Sequence, residues 1–389
     1  MRFRHPDGTT VHLAYCSNVH PAEDVAGVLA QLDTYARPIR ERLGRDRLGI
    51  GLWLADDAAL ALDTDPSMLE DLRVRLATTG CEVVTLNGFP YAGFHDEIVK
   101  RRVYRPDWTE PARREHTLRL ARLLTHLLPD DVEVGTISTL PLGWREGFDA
   151  ARTSAAVDNM AGLAEDLAAL ADDTGRRIAL AVEPEPGCRV ETTTQLVEVL
   201  GDVAGPHLGA CVDLCHLAVQ FEDGPTAVAG LGAAGVPIHK AQVSAGLRAV
   251  QPGDPAVRAA LAAHADSPFL HQTRERSGGT VRGVDDLPEA LAGGLPGEEE
   301  WRVHVHLPLH HSDQGTTRPE LEASLAALVG GPTAVTAHLE LETYTWGVLP
   351  EGRRPADAAD PVDGLVTGIA AELSWAADHL TSLGLTELP

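Results

Sequence analysis

The strongest constraint on the fold is an alternation that runs the length of the chain, with short, nearly continuous apolar runs separated by longer amphipathic stretches. The runs begin with Val11–Cys16, Leu48–Leu54, Cys81–Asn87 and Val132–Ser138. They continue with Arg177–Val182, Leu208–Asp213, Ile238–Ser244 and Val335–Glu342. Their length is that of a strand, and their sparse polar alternation is that of a strand covered on both faces. The stretches between them read as helices over about Ala22–Leu43, from Pro66-Ser67 onward, and over Glu110–Leu128, Ser154–Thr174, Thr193–Leu200 and finally Asp363–Leu383. Pro66 at a first helical turn is a start signal, because the missing N–H has no partner there anyway. Repeated strand–helix units build a parallel sheet covered by helices, and eight of them argue for closure into an α/β barrel of the (β/α)8 type.

One segment exceeds a minimal barrel. Between Ser244 and Val335 lie about ninety residues, far beyond an ordinary connection, containing two further strand-like runs, Phe269–Thr273 and Trp301–Leu309. No break in composition sets this segment apart and no short repeat is present. The expected organisation is one domain over residues 1–389, with residues 245–333 as a long insertion at the barrel's C-terminal mouth, where extra loops form walls and lids.

Composition removes several function classes. The chain carries 57 acidic residues against 32 Lys and Arg, a net charge of -25, which repels phosphate backbones and anionic lipid and argues against a nucleic-acid partner. No apolar run reaches the roughly 18 residues of a membrane span, and the start of the chain lacks the apolar segment of a signal peptide. A soluble, cytoplasmic protein without membrane insertion is expected. Cys16, Cys81, Cys188, Cys211 and Cys215 are scattered without a CxxC pair, as reduced core thiols would be. GxSxG, Walker A and HExxH motifs are absent. The GxGxxG spacing at Gly230–Gly235 closes a helix ahead of a strand, which is the wrong context for a dinucleotide.

In a parallel barrel the C-terminal strand ends meet at one mouth, so acids that end strands come together from distant parts of the chain. Glu183, Asp213 and Glu342 end the fifth, sixth and eighth runs. Three crowded carboxylates repel one another unless a cation lies among them. Oxygen donors suit Mg²⁺ or Mn²⁺, and an added imidazole admits Co²⁺, Zn²⁺ or Fe²⁺. Asn18, His20 and Asn87 also fall at the mouth, as groups suited to hydroxyls. Glu185 shares strand parity with Glu183, and Glu340 and His338 share it with Glu342.

Glu183, the Asp213-Leu214-Cys215-His216 motif (DxxH) on the next strand, and Glu342-Thr343-Tyr344 on the last resemble the xylose-isomerase-like TIM barrels, the superfamily of sugar phosphate isomerases and epimerases. More narrowly, Tyr15–Pro21, Leu180–Cys188 and Lys240–Ser244 look like the EboE group of metabolite traffic proteins. The resemblance implies one divalent metal ion (Mn, Mg, Co or Zn) and a small sugar-, cyclitol- or polyol-like partner. Glu183 and Glu342 would be both ligands and proton-transferring groups, and His216 would face the substrate's oxygens.

The fourth ligand departs from the epimerase pattern. The seventh run presents Lys240, Gln242 and Ser244 on one face, with Gln242 where an epimerase-like strand would carry His. His306, in the run Val303–Leu307, lies about one strand–helix unit before Glu342 and is the alternative ligand, depending on where the insertion falls. The expected metal set is therefore Glu183, Asp213, Gln242 and Glu342. His304, His306, Asn18 and Lys240 join His216 on the substrate side. The implied activity is isomerisation or epimerisation by proton abstraction beside a carbonyl. A dehydroshikimate-dehydratase-like lyase and a non-catalytic metabolite carrier are the alternatives.

Overall fold

Each of the apolar runs folds as a strand because its residues can be buried on both faces at once; every residue of Leu48–Trp53, Cys81–Asn87 and Leu208–Asp213 is buried. The computed structural model describes residues 1–310, 315–350 and 360–389. The strands are β1 (Arg2–Arg4), β2 (Thr10–Cys16), β3 (Leu48–Trp53), β4 (Cys81–Asn87), β5 (Val134–Thr139), β6 (Arg177–Val182) and β7 (Leu208–Asp213). They are followed by β8 (Ile238–Val243), β9 (Leu247–Ala249), β10 (Thr273–Ser277), β11 (Thr280–Val284), β12 (Trp301–Val303), β13 (His338–Leu341) and β14 (Thr386–Leu388). Strands β2 to β8 pair in parallel in chain order, and β13 pairs in parallel with both β8 and β2, so eight strands close into a barrel. Helices such as Pro111–Leu127, Ala150–Thr174 and Pro361–Ser382 cover its outside.

The long intervening segment follows β8 and precedes β13. Strand β8 is bonded to both β7 and β13, so Ile238–Val243 is the seventh barrel strand and the extra residues leave the barrel after it. They form a separate antiparallel sheet ordered β11-β10-β12-β9. Residues 311–314 of the expected insertion lie outside the described residues. Within it, strand structure differs from the sequence pattern. Phe269–Thr273 contributes only its last residue to β10, and Trp301–Leu309 remains a strand only to Val303. Past Val303 the backbone bonds to loops instead, His304 N–H to Gln272 O (2.9 Å) and Leu307 N–H to Ala245 O (2.8 Å). This stretch is thereby led across the barrel mouth.

Two smaller departures have local causes. The helix expected over Ala22–Leu43 runs as Val25–Gln31 and Arg37–Leu43 with a widened π turn at Leu32–Ala36 between them. Pro38 has no N–H to give the preceding turn, and the wider turn accommodates this. The short β1 has too few residues to show a period; it pairs with the start of β2 and with β14 and buries Phe3 at the end opposite the mouth.

The barrel interior carries a polar column beneath the mouth. His338 Nδ1 hydrogen-bonds Thr136 Oγ1 (2.8 Å), which donates to Thr85 Oγ1 (2.9 Å). Above them, Lys240 Nζ lies 3.1 Å from Glu340 Oε2. Gly51 makes room for that pair, since a Cβ there would stand 1.7 Å from Glu340 Oε2. All five cysteines are buried and free. Among the described residues no helix is long and apolar enough to cross a membrane.

Candidate metal centre

Strand register sets the level of the acidic groups. Asp213 is opposite Gln242, and Gln242 is opposite Glu340, so the three lie in one layer, with Glu183 and Glu342 just beyond the ends of β6 and β13. All five are buried. Asp213 begins the helix Leu214–Val219, and its Oδ1 accepts from His216 N–H (2.8 Å) and Ser244 Oγ (2.8 Å). Its Oδ2 has no hydrogen-bond partner, and neither do Glu183 Oε2, either polar atom of the Gln242 amide, or His306 Nε2. Glu342 is held differently: the side-chain amides of Asn18 and Asn87 both donate to its Oε1, each at 2.8 Å.

Burying several carboxylates together penalises their ionisation. Burial, then the Glu342 and Asp213 charges, push Glu183 well above the ordinary carboxylate range. Burial and then Asp213 and Glu340 push Glu342 up to about 8. Burial likewise raises Glu185 to about 8, although Tyr104 Oη donates to it at 2.5 Å. The nearest buried cation is already committed. Burial works against the Lys240 ammonium, yet the Glu340 carboxylate more than offsets that and holds its pKa above the ordinary value. Lys240, expected to meet substrate, is placed a layer deeper, wholly buried between Glu340, Ser138 Oγ (3.2 Å) and Leu86 O (3.4 Å).

The described residues fit a divalent cation. Unpartnered, buried oxygens on Glu183 and Asp213 converge with the carboxylate of Glu342, and groups of potential ligands here include Glu183, Asp213 and His216 and also Asp213, Cys215 and His306. Such donors are satisfied only by a proton or a cation. Gln242 offers its unpartnered amide from β8, while His306 Nε2 approaches to 3.8 Å from Asp213 Oδ2 from the segment after β12. The two alternative fourth ligands are thus both present at the cup, from different parts of the fold.

Above the acids lies a cleft of ≈ 490 Å³ of empty volume, open solvent included. Asn18, Glu183, Glu342, His216, His304 and His306 line its floor. His20, expected at the mouth, instead meets Tyr15 Oη (3.3 Å) and stacks on Tyr35. An aromatic wall of Phe89, Phe94, Tyr104, Phe269 and Tyr344 completes the cleft, with ring contacts such as Phe94–Phe269 and Phe269–Tyr344 near 5 Å. Sequence reasoning missed this wall. Its residues come from loops, where no periodicity marks a side chain's direction; only Tyr344, beside Glu342, had a positional cue.

A family model described as the xylose isomerase-like TIM barrel matches residues 46–269. No curated protein matches the chain significantly. Among solved structures, the chain is similar to a xylose isomerase-like TIM barrel protein from Mycobacterium smegmatis in complex with magnesium (16% identity, 96% of this chain and 97% of that one, TM-score 0.53). It is also similar to a candidate sugar phosphate isomerase/epimerase from Anabaena variabilis ATCC 29413 (13% identity, 96% and 99%, TM-score 0.53). A third is D-psicose 3-epimerase in the presence of D-fructose (13% identity, 95% and 99%, TM-score 0.50). At these identities the likeness concerns the fold.

Proposed function

The chain belongs to the xylose isomerase-like TIM barrel family, and from that premise we propose a divalent-metal-dependent isomerase or epimerase acting on a small polyhydroxylated metabolite such as a sugar, a cyclitol or a phosphate ester of one. The observation that carries this reading is the convergence of unpartnered, buried oxygens on Glu183 and Asp213 beside Glu342 at the floor of a sugar-sized cleft. Glu183, Asp213, Gln242 and Glu342 would hold the metal, with His306 as the alternative to Gln242. A cation held there supplies positive charge against which an enediolate-like oxyanion is stabilised.

The chain's own groups do the remaining work. Glu183 and Glu342 stand on strands three places apart around the barrel, so they flank a bound substrate and can take a proton from its α-carbon and return one. Asn18 and Asn87 occupy Oε1 of Glu342, which leaves Oε2 for the proton. His216, whose Nδ1 hydrogen-bonds Pro184 O at 2.9 Å, presents Nε2 at the cleft floor. The aromatic wall excludes water and offers faces on which the C–H side of a sugar ring stacks.

The narrower reading is an EboE-type protein of a metabolite-precursor traffic or tailoring route in the cytoplasm, with residues 245–333 belonging to the same domain as the barrel. It is supported by the Tyr15–Pro21, Leu180–Cys188 and Lys240–Ser244 motifs. The test is exchange of substrate C–H with solvent deuterium, with and without added Mn²⁺, Mg²⁺, Co²⁺ or Zn²⁺, over a panel of sugars, cyclitols and their phosphates. Metal-dependent exchange is the expected result. Binding without exchange across the panel overturns the enzyme reading in favour of a carrier.

A further inference from the structure

His216, His304 and His306 form a cluster that a one-metal site does not use up. Their ring nitrogens include a set lying within 4.8 Å of one another, and all three side chains are buried. His216 Nε2 stands 3.0 Å from His304 Nε2. The opposite nitrogen of each ring has a partner that fixes the tautomer. His216 Nδ1 faces the Pro184 carbonyl (2.9 Å) and His306 Nδ1 faces the Glu342 carbonyl (2.5 Å). A carbonyl only accepts, so each of those nitrogens carries the hydrogen. His304 Nδ1 faces Gln272 Oε1 (2.8 Å), and that amide is itself oriented by its NH₂ donating to Pro186 O (2.8 Å) and Tyr104 Oη (3.1 Å). His304 Nδ1 therefore donates as well.

In the neutral rings, all three Nε2 atoms then carry lone pairs. Two of them point at each other across 3.0 Å, and His306 Nε2 has no hydrogen-bond partner. Lone pairs so placed repel until a cation comes between them, and an N–H donated to a backbone carbonyl or an oriented amide is the arrangement that supports a metal-ligating imidazole. We propose that His216, His304 and His306 bind a second divalent transition-metal ion, adjacent to the carboxylate-bound one, with Asp213 Oδ2 facing both. Asp213 Oδ2 is unpartnered and 3.8 Å from His306 Nε2, which places a carboxylate oxygen between the two sets of ligands. Three nitrogen donors select Zn²⁺ or Co²⁺ over Mg²⁺. On this assignment His306 belongs to the second ion and Gln242 to the first. It rests on the metal-dependent reading above, and it makes the centre dinuclear.

The experiment is metal stoichiometry of the full-length, tag-free protein titrated with Co²⁺ and separately with Zn²⁺, read by elemental analysis and, for cobalt, by its visible spectrum. Wild type should take up two ions per chain. His304→Ala should take up one and lose the part of the cobalt spectrum due to the nitrogen-rich site, and His304→Gln serves as a second variant should the alanine protein fold poorly. Glu183→Gln should weaken the other ion. A wild-type stoichiometry of one, abolished by Glu183→Gln and untouched by His304→Ala, overturns the second site and leaves the proposed function standing. Uptake of no metal overturns both.

Discussion

Lys240 and Glu340 form an ion pair of 3.1 Å inside the barrel, with both side chains fully closed off from solvent. The pair sits in the layer directly below the acidic cup, and β8 and β13, which carry it, also carry Gln242 and lead to Glu342. Its two charges were brought out of water together, so its net contribution to stability is small, whereas removing one partner leaves the other buried and uncompensated.

Lys240→Met should therefore destabilise the fold by about 3–5 kcal/mol, measured by urea unfolding of the metal-free protein. Lys240→Met combined with Glu340→Gln should recover most of that loss. A single variant as stable as wild type would show that Glu340 is held neutral without Lys240.

Gly51 is the neighbour that permits the pair. A methyl group there would stand 1.7 Å from Glu340 Oε2 and 2.2 Å from Glu340 Cδ, so the carboxylate must swing away from Lys240 or the strand must shift. Gly51→Ala should cost about 2–4 kcal/mol. In a Lys240→Met/Glu340→Ala background the same substitution should cost far less. Equal costs in both backgrounds would place the strain elsewhere, for instance in packing between β3 and β4.

The barrel itself was legible because parallel strands buried on both faces leave long apolar runs, and the helices between them leave a 3.6-residue period. Glu183, Asp213 and Glu342 were legible for a related reason, since topology alone sends strand ends to one mouth. The position of the insertion was not. Ile238–Ser244 and Trp301–Leu309 both read as strands, and only the pairing of β8 with β13 distinguishes them. Lys240 shows a limit of parity arguments: alternation tells that a side chain points inward but not at which depth it finds a partner. His304 and His306 required knowledge of the path after Val303, which is set by loop hydrogen bonds that leave no pattern in the sequence.

The buried titratable groups predict a stability maximum near neutral pH for the metal-free protein. Burial holds His20 at about 3 and His12, His239 and His271 at about 4, against an ordinary value of 6.5. Below 6.5 the unfolded chain takes up protons that the folded chain refuses, so stability falls as pH drops from 6.5 towards 4. The slope approaches about 1.4 kcal/mol per pH unit for each such ring. Glu372 and Glu185 act in the opposite direction. Burial raises them to about 7 and about 8, so the folded state holds protons that the unfolded state has released, and stability falls as pH rises from 4.5 through those values. Between 4 and 6.5 the histidines outnumber the glutamates, and above 6.5 only the glutamates remain. Melting temperature against pH should peak between about 6 and 7, and a monotonic rise to pH 8 would contradict the protonated state assigned to Glu185 and Glu372.

Asn18 and Asn87 both donate to Glu342 Oε1 at 2.8 Å, but they are not equivalent. Asn87 Oδ1 also accepts from the Phe89 N–H (3.1 Å), and its amide reaches Cys16 Sγ (3.3 Å), so it supports the turn after β4. Asn18 Oδ1 has no such partner. Replacing either residue with Ala frees Glu342 to rotate and should weaken metal binding about 10–100-fold, the usual effect of losing a residue that orients a ligand. Only Asn87→Ala should also lower stability in the absence of metal, by about 1–3 kcal/mol for the stranded Phe89 N–H and the lost turn. Isothermal titration with Mn²⁺ or Zn²⁺, paired with unfolding of the metal-free variants, separates the two effects. If Asn18→Ala binds metal as tightly as wild type, Glu342 is either positioned by Asn87 alone or lies outside the metal's ligands, and Glu342→Gln in the same titration decides between them.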